Sequence, residues 1–163
     1  MKTRLSILAF VLASGTLFAC PECDLKATEE YRKDVAALMP EFSAFGARKD
    51  NRYELLGKDK KVIGYMLVAP AKKYERTEGF NAYINTAAVL NKDGKVAGVV
   101  IGKHEETPRF MDKVRNAGFM KKWNGKTVKE AKELKVDAVS GATYSCEAIK
   151  SELKTIFGNS SAK

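Results

Sequence analysis

Stretches of helical period and stretches of strand-like alternation follow one another along this chain, separated by glycine, proline and Asn/Asp clusters. Asp24 can cap a helix whose Leu25, Thr28, Tyr31, Val35 and Leu38 share one face and which ends before Pro40. Such a helix is amphipathic and is expected to pack on a sheet. Residues 41–52 (EFSAFGARKDNR) keep no sustained period and read as a connection. Two strand-turn-strand patterns follow, Tyr53 to Val68 and Tyr83 to Gly102. In the second, Asp93-Gly94 marks a tight hairpin turn, because glycine readily takes the positive φ that such a turn demands. Each pattern carries Lys-Val-x-Gly just after its turn, either a weak internal duplication or two hairpins meeting the same geometry. The polar KKYERTEGFNAY between them reads as a loop. After the second hairpin come a turn at Thr107-Pro108, a short helix near Phe110 to Asn116 and an aromatic segment around Phe119 and Trp123. Cys146, Ile149, Leu153, Ile156 and Phe157 recur at helical spacing and define the most regular helix, with Gly158-Asn159 as its stop. The predicted fold is α+β: a small twisted antiparallel sheet of two hairpins with packed helices.

The first nineteen residues follow a different pattern. Lys2 and Arg4, an apolar run from Leu5 to Leu12 and small residues from Ala13 to Ala19 read as a secretory signal peptide. The apolar run is far shorter than the ~20 residues that span a bilayer. Leu17-Phe18-Ala19-Cys20 is similar to a bacterial lipoprotein cleavage box, which makes Cys20 a candidate for lipidation; ordinary cleavage after Ala19 or Gly15 is the alternative, since Phe18 is bulkier than that box usually carries. Either route predicts an exported protein, periplasmic or membrane-anchored on the extracytoplasmic side. Cys20-Pro21-Glu22-Cys23 has the spacing of a redox dithiol or of half a zinc site, but neither a βαβ context nor a second ligand pair accompanies it. Cys23 and Cys146 can form one disulfide in an oxidising compartment; burial of Cys146 on its apolar helix face is the favoured alternative. The expected division is a signal peptide at 1–19, an N-terminal helix and linker at 20–52, a cofactor-carrying domain at 53–158 and a tail at 159–163.

Composition narrows the function class. With 163 residues, 45% hydrophobic and 30% charged, the chain has one domain's worth of core and no room for a second catalytic domain. Lys and Arg number 29 against 20 acids, a formal +9; without residues 1–19, which hold Lys2 and Arg4, the balance is 27 against 20, or +7. This charge is spread along the chain and favours anionic ligands, phosphate or acidic protein partners; nothing in it points to nucleic acid. No nicotinamide fingerprint, cluster-binding cysteine set, metal-ligand set or nucleophile-base constellation is present in the sequence.

Chemistry concentrates just before the last helix, in Val136-Asp137-Ala138-Val139-Ser140-Gly141-Ala142-Thr143-Tyr144-Ser145. A small-residue turn entering a helix presents unpaired N–H groups and the positive end of the dipole, which suits a phosphate. The plainer reading has Ser140 or Ser145 capping the helix and Gly141 making the turn. Asp137 to Thr143 resembles the flavinylation motif of the FMN-binding domain family, found in subunits of sodium-translocating NADH:quinone reductase and related ferredoxin:NAD oxidoreductase complexes. Gly94-Lys95-Val96-Ala97-Gly98-Val99-Val100 and His104-Glu105-Glu106-Thr107-Pro108 resemble that family's central hairpin and the turn after it, and the similarity covers roughly residues 53–157.

The resemblance implies FMN joined through its phosphate to the hydroxyl of Thr143, installed from FAD, with magnesium, by a separate flavin transferase acting on the exported protein. It makes Asp137 part of what the transferase recognises and a candidate for holding the loop. Gly141 and Ala142 would keep the hydroxyl accessible, and Ser145 is a capping residue or a second-choice acceptor. Family members often carry glycines before the second hairpin and after the Thr-Pro turn; here those places read Gly79-Phe80-Asn81-Ala82 and Arg109-Phe110. Ser140, Thr107 and Arg109 are further candidate flavin contacts, with Phe110, Phe119 and Trp123 candidates to cover the ring. His104, the single histidine, reads more simply as a hydrogen-bonded edge residue than as a proton carrier. The implied function is an extracytoplasmic electron carrier working with protein redox partners. A small flavin reductase acting on a diffusible acceptor such as a quinone, and an assembly module without cofactor, are the alternatives.

Overall fold

A computed structural model describes residues 28–70 and 74–160 of the chain. Helix α1 (Arg32–Leu38) leads into five strands, β1 (Phe42–Lys49), β2 (Arg52–Gly57), β3 (Val62–Val68), β4 (Thr86–Asn91) and β5 (Val96–Ile101). They form one open sheet in sequence order, every neighbouring pair antiparallel. Helix α2 (Pro108–Asn116), a 3-10 helix (Phe119–Trp123), α3 (Val128–Glu133) and α4 (Thr143–Asn159) follow. The α+β fold and both predicted hairpins are present: β2 with β3, and β4 with β5 through a turn in which Gly94 has φ +75°. The signal segment, Cys20, Cys23 and the predicted cap Asp24 lie outside the described residues.

Helices cover both faces of the sheet, and the burial of the strands records it. Along β2, buried Tyr53, Leu55 and Gly57 alternate with half-buried Arg52, Glu54 and Leu56. In β4 every residue from Thr86 to Leu90 is buried, because this strand is covered on both sides. Tyr31 and Val35 join Phe42, Tyr53, Leu55, Met66, Ala87, Val89 and Val100 in the smaller core. The larger core lies on the opposite face, where Ile149, Leu153, Ile156 and Phe157 of α4 meet Ala88, Leu90, Val99, Phe119 and Trp123. Each such apolar side chain contributes about 1.5–3 kcal/mol on burial, so packing on the sheet fixes α4 more firmly than its own propensity does.

Two elements differ from the sequence expectation. Residues 42–49, expected to be a connection, form β1 and pair with β2. Their apolar signal is interrupted because the pairing shifts register between Phe42 and Ala44 and again between Phe45 and Arg48, so strict alternation never develops. The second is α3, which opens with a reciprocal capping box: the Glu130 amide donates to Thr127 Oγ1 at 3.3 Å and the Thr127 amide to Glu130 Oε2 at 2.8 Å. The shared Lys-Val-x-Gly run also has a local cause. A Cβ on Gly98 would sit 2.5 Å from Leu38 Cδ1, whereas one on Gly64 would lie 2.3 Å from the Leu90 carbonyl oxygen, so Gly98 clears space for the end of α1 and Gly64 for the close approach of β4.

Candidate functional site

Residues 134–142 approach α4 without regular structure, and the turn closes as the Ala142 amide donates to the Val139 carbonyl at 3.0 Å. Gly141 sits at φ +71°, a conformation that side chains with a Cβ adopt only under strain. Ala142 is the cap residue and no side chain caps the helix. Thr143 therefore occupies the first helical position, exposed, with first-turn amides that have no acceptor within the helix. Neither serine takes the expected capping role. Ser140 is exposed and, among the described residues, makes no hydrogen bond; Ser145 is 1% exposed and its hydroxyl donates to Glu106 Oε2. Ser145 is too deeply enclosed to accept a bulky group, which leaves Thr143 as the accessible hydroxyl of the helix start. Asp137 is exposed and its carboxylate accepts no hydrogen bond among the described residues, so it does not hold the loop.

Glu106 joins this helix to the rest of the site. It is 5% exposed; Oε1 accepts the Asn81 amide at 2.8 Å while Oε2 takes the Ser145 hydroxyl. A Cβ on Gly79 would lie 2.5 Å from Oε1, so glycine is what lets the loop close over the carboxylate. Asn81 Nδ2 donates to the Glu105 carbonyl at 2.8 Å and to Thr107 Oγ1 at 3.3 Å, which ties Thr107, at the start of α2, to the same loop. Further along, the Tyr74 hydroxyl donates to Glu152 Oε1 at 2.7 Å, Arg76 bridges Glu152 and Asn85, and Thr77 meets Ser151. Burial and the Glu152 carboxylate push the Tyr74 phenol well above its ordinary pKa, keeping it a neutral donor. The segment 74–85 is thus fastened along α4.

This fastening brings an aromatic surface beside Thr143. Phe80, 57% exposed, meets Phe110 edge-on with centroids 4.9 Å apart, and Tyr144, 67% exposed, stands 6.5 Å from Phe80. Arg76 covers the ring of Tyr83 at 4.7 Å. Of the aromatics named from sequence, Phe110 belongs to this surface, whereas Phe119 and Trp123 are buried and pack edge-on against each other in the core. Arg109 is exposed in the first turn of α2 and forms no ion pair among the described residues. His104 is half-buried with Nδ1 unpartnered. Cys146 is fully buried, its sulfur accepting the Val139 amide at 3.4 Å, and burial raises its thiol pKa. Glu106, Phe80 and Asn81 fall in segments singled out from the sequence, but their roles do not show there, because a Glu before Thr-Pro and a Phe after Gly read as ordinary loop residues.

Two concavities lie elsewhere. A groove of about 780 Å³ lies at the far end of α4, lined by Lys49, Arg52, Tyr65, Lys92, Lys129 and Asn159 among others; a second of about 350 Å³ runs along α4 beside Trp123 and Leu153. Neither includes Thr143 or Phe80. Among the described residues no cluster of His, Cys, Asp and Glu could hold a metal ion, and no helix is long and apolar enough to cross a membrane.

Residues 79–156, which run from the Gly79 loop through Glu106 and Thr143 to the core end of α4, match the FMN-binding domain family. The G subunit of the ion-translocating oxidoreductase complex of Shewanella piezotolerans is 33% identical over 98 residues, 53% of this chain and 46% of that protein, so the chain spans about half of that relative's length. The exposed hydroxyl, the glycine turn, the aromatic surface and the Glu106 clasp all fall within the segment that matches the FMN-binding domain family.

Proposed function

We propose that the chain is an exported electron carrier holding FMN covalently through a phosphoester on Thr143 Oγ1. The carrying observation is the exposed threonine at the first position of α4, preceded by an uncapped glycine turn, inside the segment that matches the FMN-binding family. The residues fit the group. The hydroxyl is accessible, the first-turn amides and dipole favour a phosphate, and Phe80, Phe110 and Tyr144 offer an apolar surface to an aromatic ring system. When bound, FMN supplies one- and two-electron exchange; the chain supplies the tether, the surface and the charge.

A covalent link also answers the openness of the site. A non-covalent site with Kd near ~1 μM holds its ligand by only about 8 kcal/mol and empties where free flavin is scarce, as outside the cytoplasm. The flavin transferase donates the FMN moiety of FAD, and the mature chain passes electrons between protein partners, in keeping with its similarity to a component of an oxidoreductase complex. Its formal charge, +7 without residues 1–19, favours acidic partners.

Co-expression with an active flavin transferase tests the reading. The exported chain should gain about 438 Da, FMN less water. In stopped-flow experiments it should exchange electrons with a protein donor much faster than it turns over a small quinone, at a rate that falls as salt rises through ~100 mM, where the screening length is about 10 Å. A colourless product overturns the carrier assignment, and robust partner-free turnover favours a reductase.

A further inference from the structure

The side of α2 that faces the 139–142 turn presents one cation to it. Lys113 Nζ lies 3.5 Å from the Gly141 carbonyl oxygen, and it occupies the space that a Cβ on Gly141 would take, with Cε and Cδ 3.7 and 3.9 Å from that point. Among the described residues no carboxylate pairs with this ammonium; neighbouring Asp112 is engaged by Arg115 at 3.5 Å. Its partner is a single, long contact to a neutral carbonyl. Immediately beyond Gly141 lies the start of α4, which has no side-chain cap and no acidic residue in its first turn. An ammonium without a carboxylate partner among the described residues and the amide end of a helix thus stand on either side of Gly141, an arrangement that favours an anion there; the one acid at this turn, Glu106, is buried on the Ser145 hydroxyl and the Asn81 amide.

We propose that Lys113 is a positioning residue for the phosphate at Thr143, an inference that rests on Thr143 being the attachment point. In the transfer, Thr143 Oγ1 forms a bond to the FMN phosphorus of FAD, the pyrophosphate P–O bond breaks, AMP leaves and the hydroxyl proton is released. The product is a phosphodiester with one negative charge. Lys113 places a counter-charge beside the incoming phosphate and keeps it beside the product, so it accelerates loading and then fixes the phosphate end of the tether. Gly141 serves the same end, since any Cβ there would displace the ammonium as well as strain the turn.

The test uses the purified full chain with FAD, magnesium ion and flavin transferase, loading being followed by intact mass. Lys113→Gln should load about tenfold more slowly, the loss expected for one charge-assisted contact, and Lys113→Arg should restore most of the rate. Phosphorus NMR on the fully loaded proteins distinguishes pairing with the phosphate from a purely structural role or recognition by the transferase. The phosphoester resonance should move in Lys113→Gln and return toward its original position in Lys113→Arg, with the melting temperature unchanged. A resonance that does not move in Lys113→Gln overturns the proposal whatever the loading rate. A wild-type chain that takes up no flavin overturns the Thr143 reading and this one with it; a wild-type chain that loads beside an unaffected Lys113→Gln overturns the role of Lys113 alone.

Discussion

Helix α4 begins at an exposed hydroxyl and ends against a groove. At its first turn nothing encloses Thr143: the neighbouring aromatics lie open, and the polar contacts are made beneath them through Glu106. At its last turn Asn51 Nδ2 donates to the Ile156 carbonyl at 3.4 Å, and Lys49, Arg52, Lys92 and Lys129 line the groove of about 780 Å³. Cations near the C-terminal end of a helix are favoured by its negative pole, and Asp50 and Asp93 share the lining with them. The start of α4 has the opposite need, a negative group, and meets it with no side chain of its own. A cofactor held by a covalent bond does not require the enclosure that a diffusible ligand does.

Thr143→Val puts the contrast between the two helix ends to its hardest trial. The variant should lose the added mass completely while its stability changes by less than ~0.5 kcal/mol, because an exposed hydroxyl at a helix start contributes little to folding. Covalent flavin persisting in that variant would move the attachment elsewhere. Next in size is Glu106→Ala, which leaves the Asn81 amide and the Ser145 hydroxyl without their acceptor and should lower stability by about 2–3 kcal/mol in denaturant unfolding. It should also expose Ser145, so peptide mapping of the loaded variant shows whether a second hydroxyl becomes a substrate. The smallest effect is expected at the far end of the helix. Lys49→Gln combined with Lys129→Gln should leave flavin loading within about twofold of wild type, since both side chains border the groove and not the tether. A large loss of loading in that variant would show that the groove belongs to the functional site.

The segment leading into α4 was legible in the sequence for a physical reason: Gly141 and Thr143 stand out through backbone conformation and an exposed hydroxyl, which are local properties of consecutive residues. The β4–β5 hairpin was legible for the same kind of reason, with Gly94 at positive φ between two apolar runs. Glu106 was not, because its role depends on Asn81, 25 residues away, and on Ser145, 39 residues away. Strand β1 was obscured by two register shifts that break its alternation, although its partner β2 reads cleanly. Ser145 reads as a cap because it lies near the helix start; the fold turns it inward, where Glu106 takes its hydroxyl.

The strand order has a consequence for how the protein matures. Because every strand pairs with its neighbour in sequence, three of the four pairings close across short turns, and only β3 with β4 must bridge a long excursion, residues 69–85. Loop-closure entropy therefore falls mainly on that one connection, and contacts between near neighbours favour rapid folding of the sheet. The same excursion carries Phe80 and Asn81, and it is stitched to α4, the last element of the described chain. The surface around Thr143 is thus completed only when that final helix docks. A modifying enzyme that reads this surface would distinguish a finished molecule from an unfinished one, and modification would follow folding as its quality check.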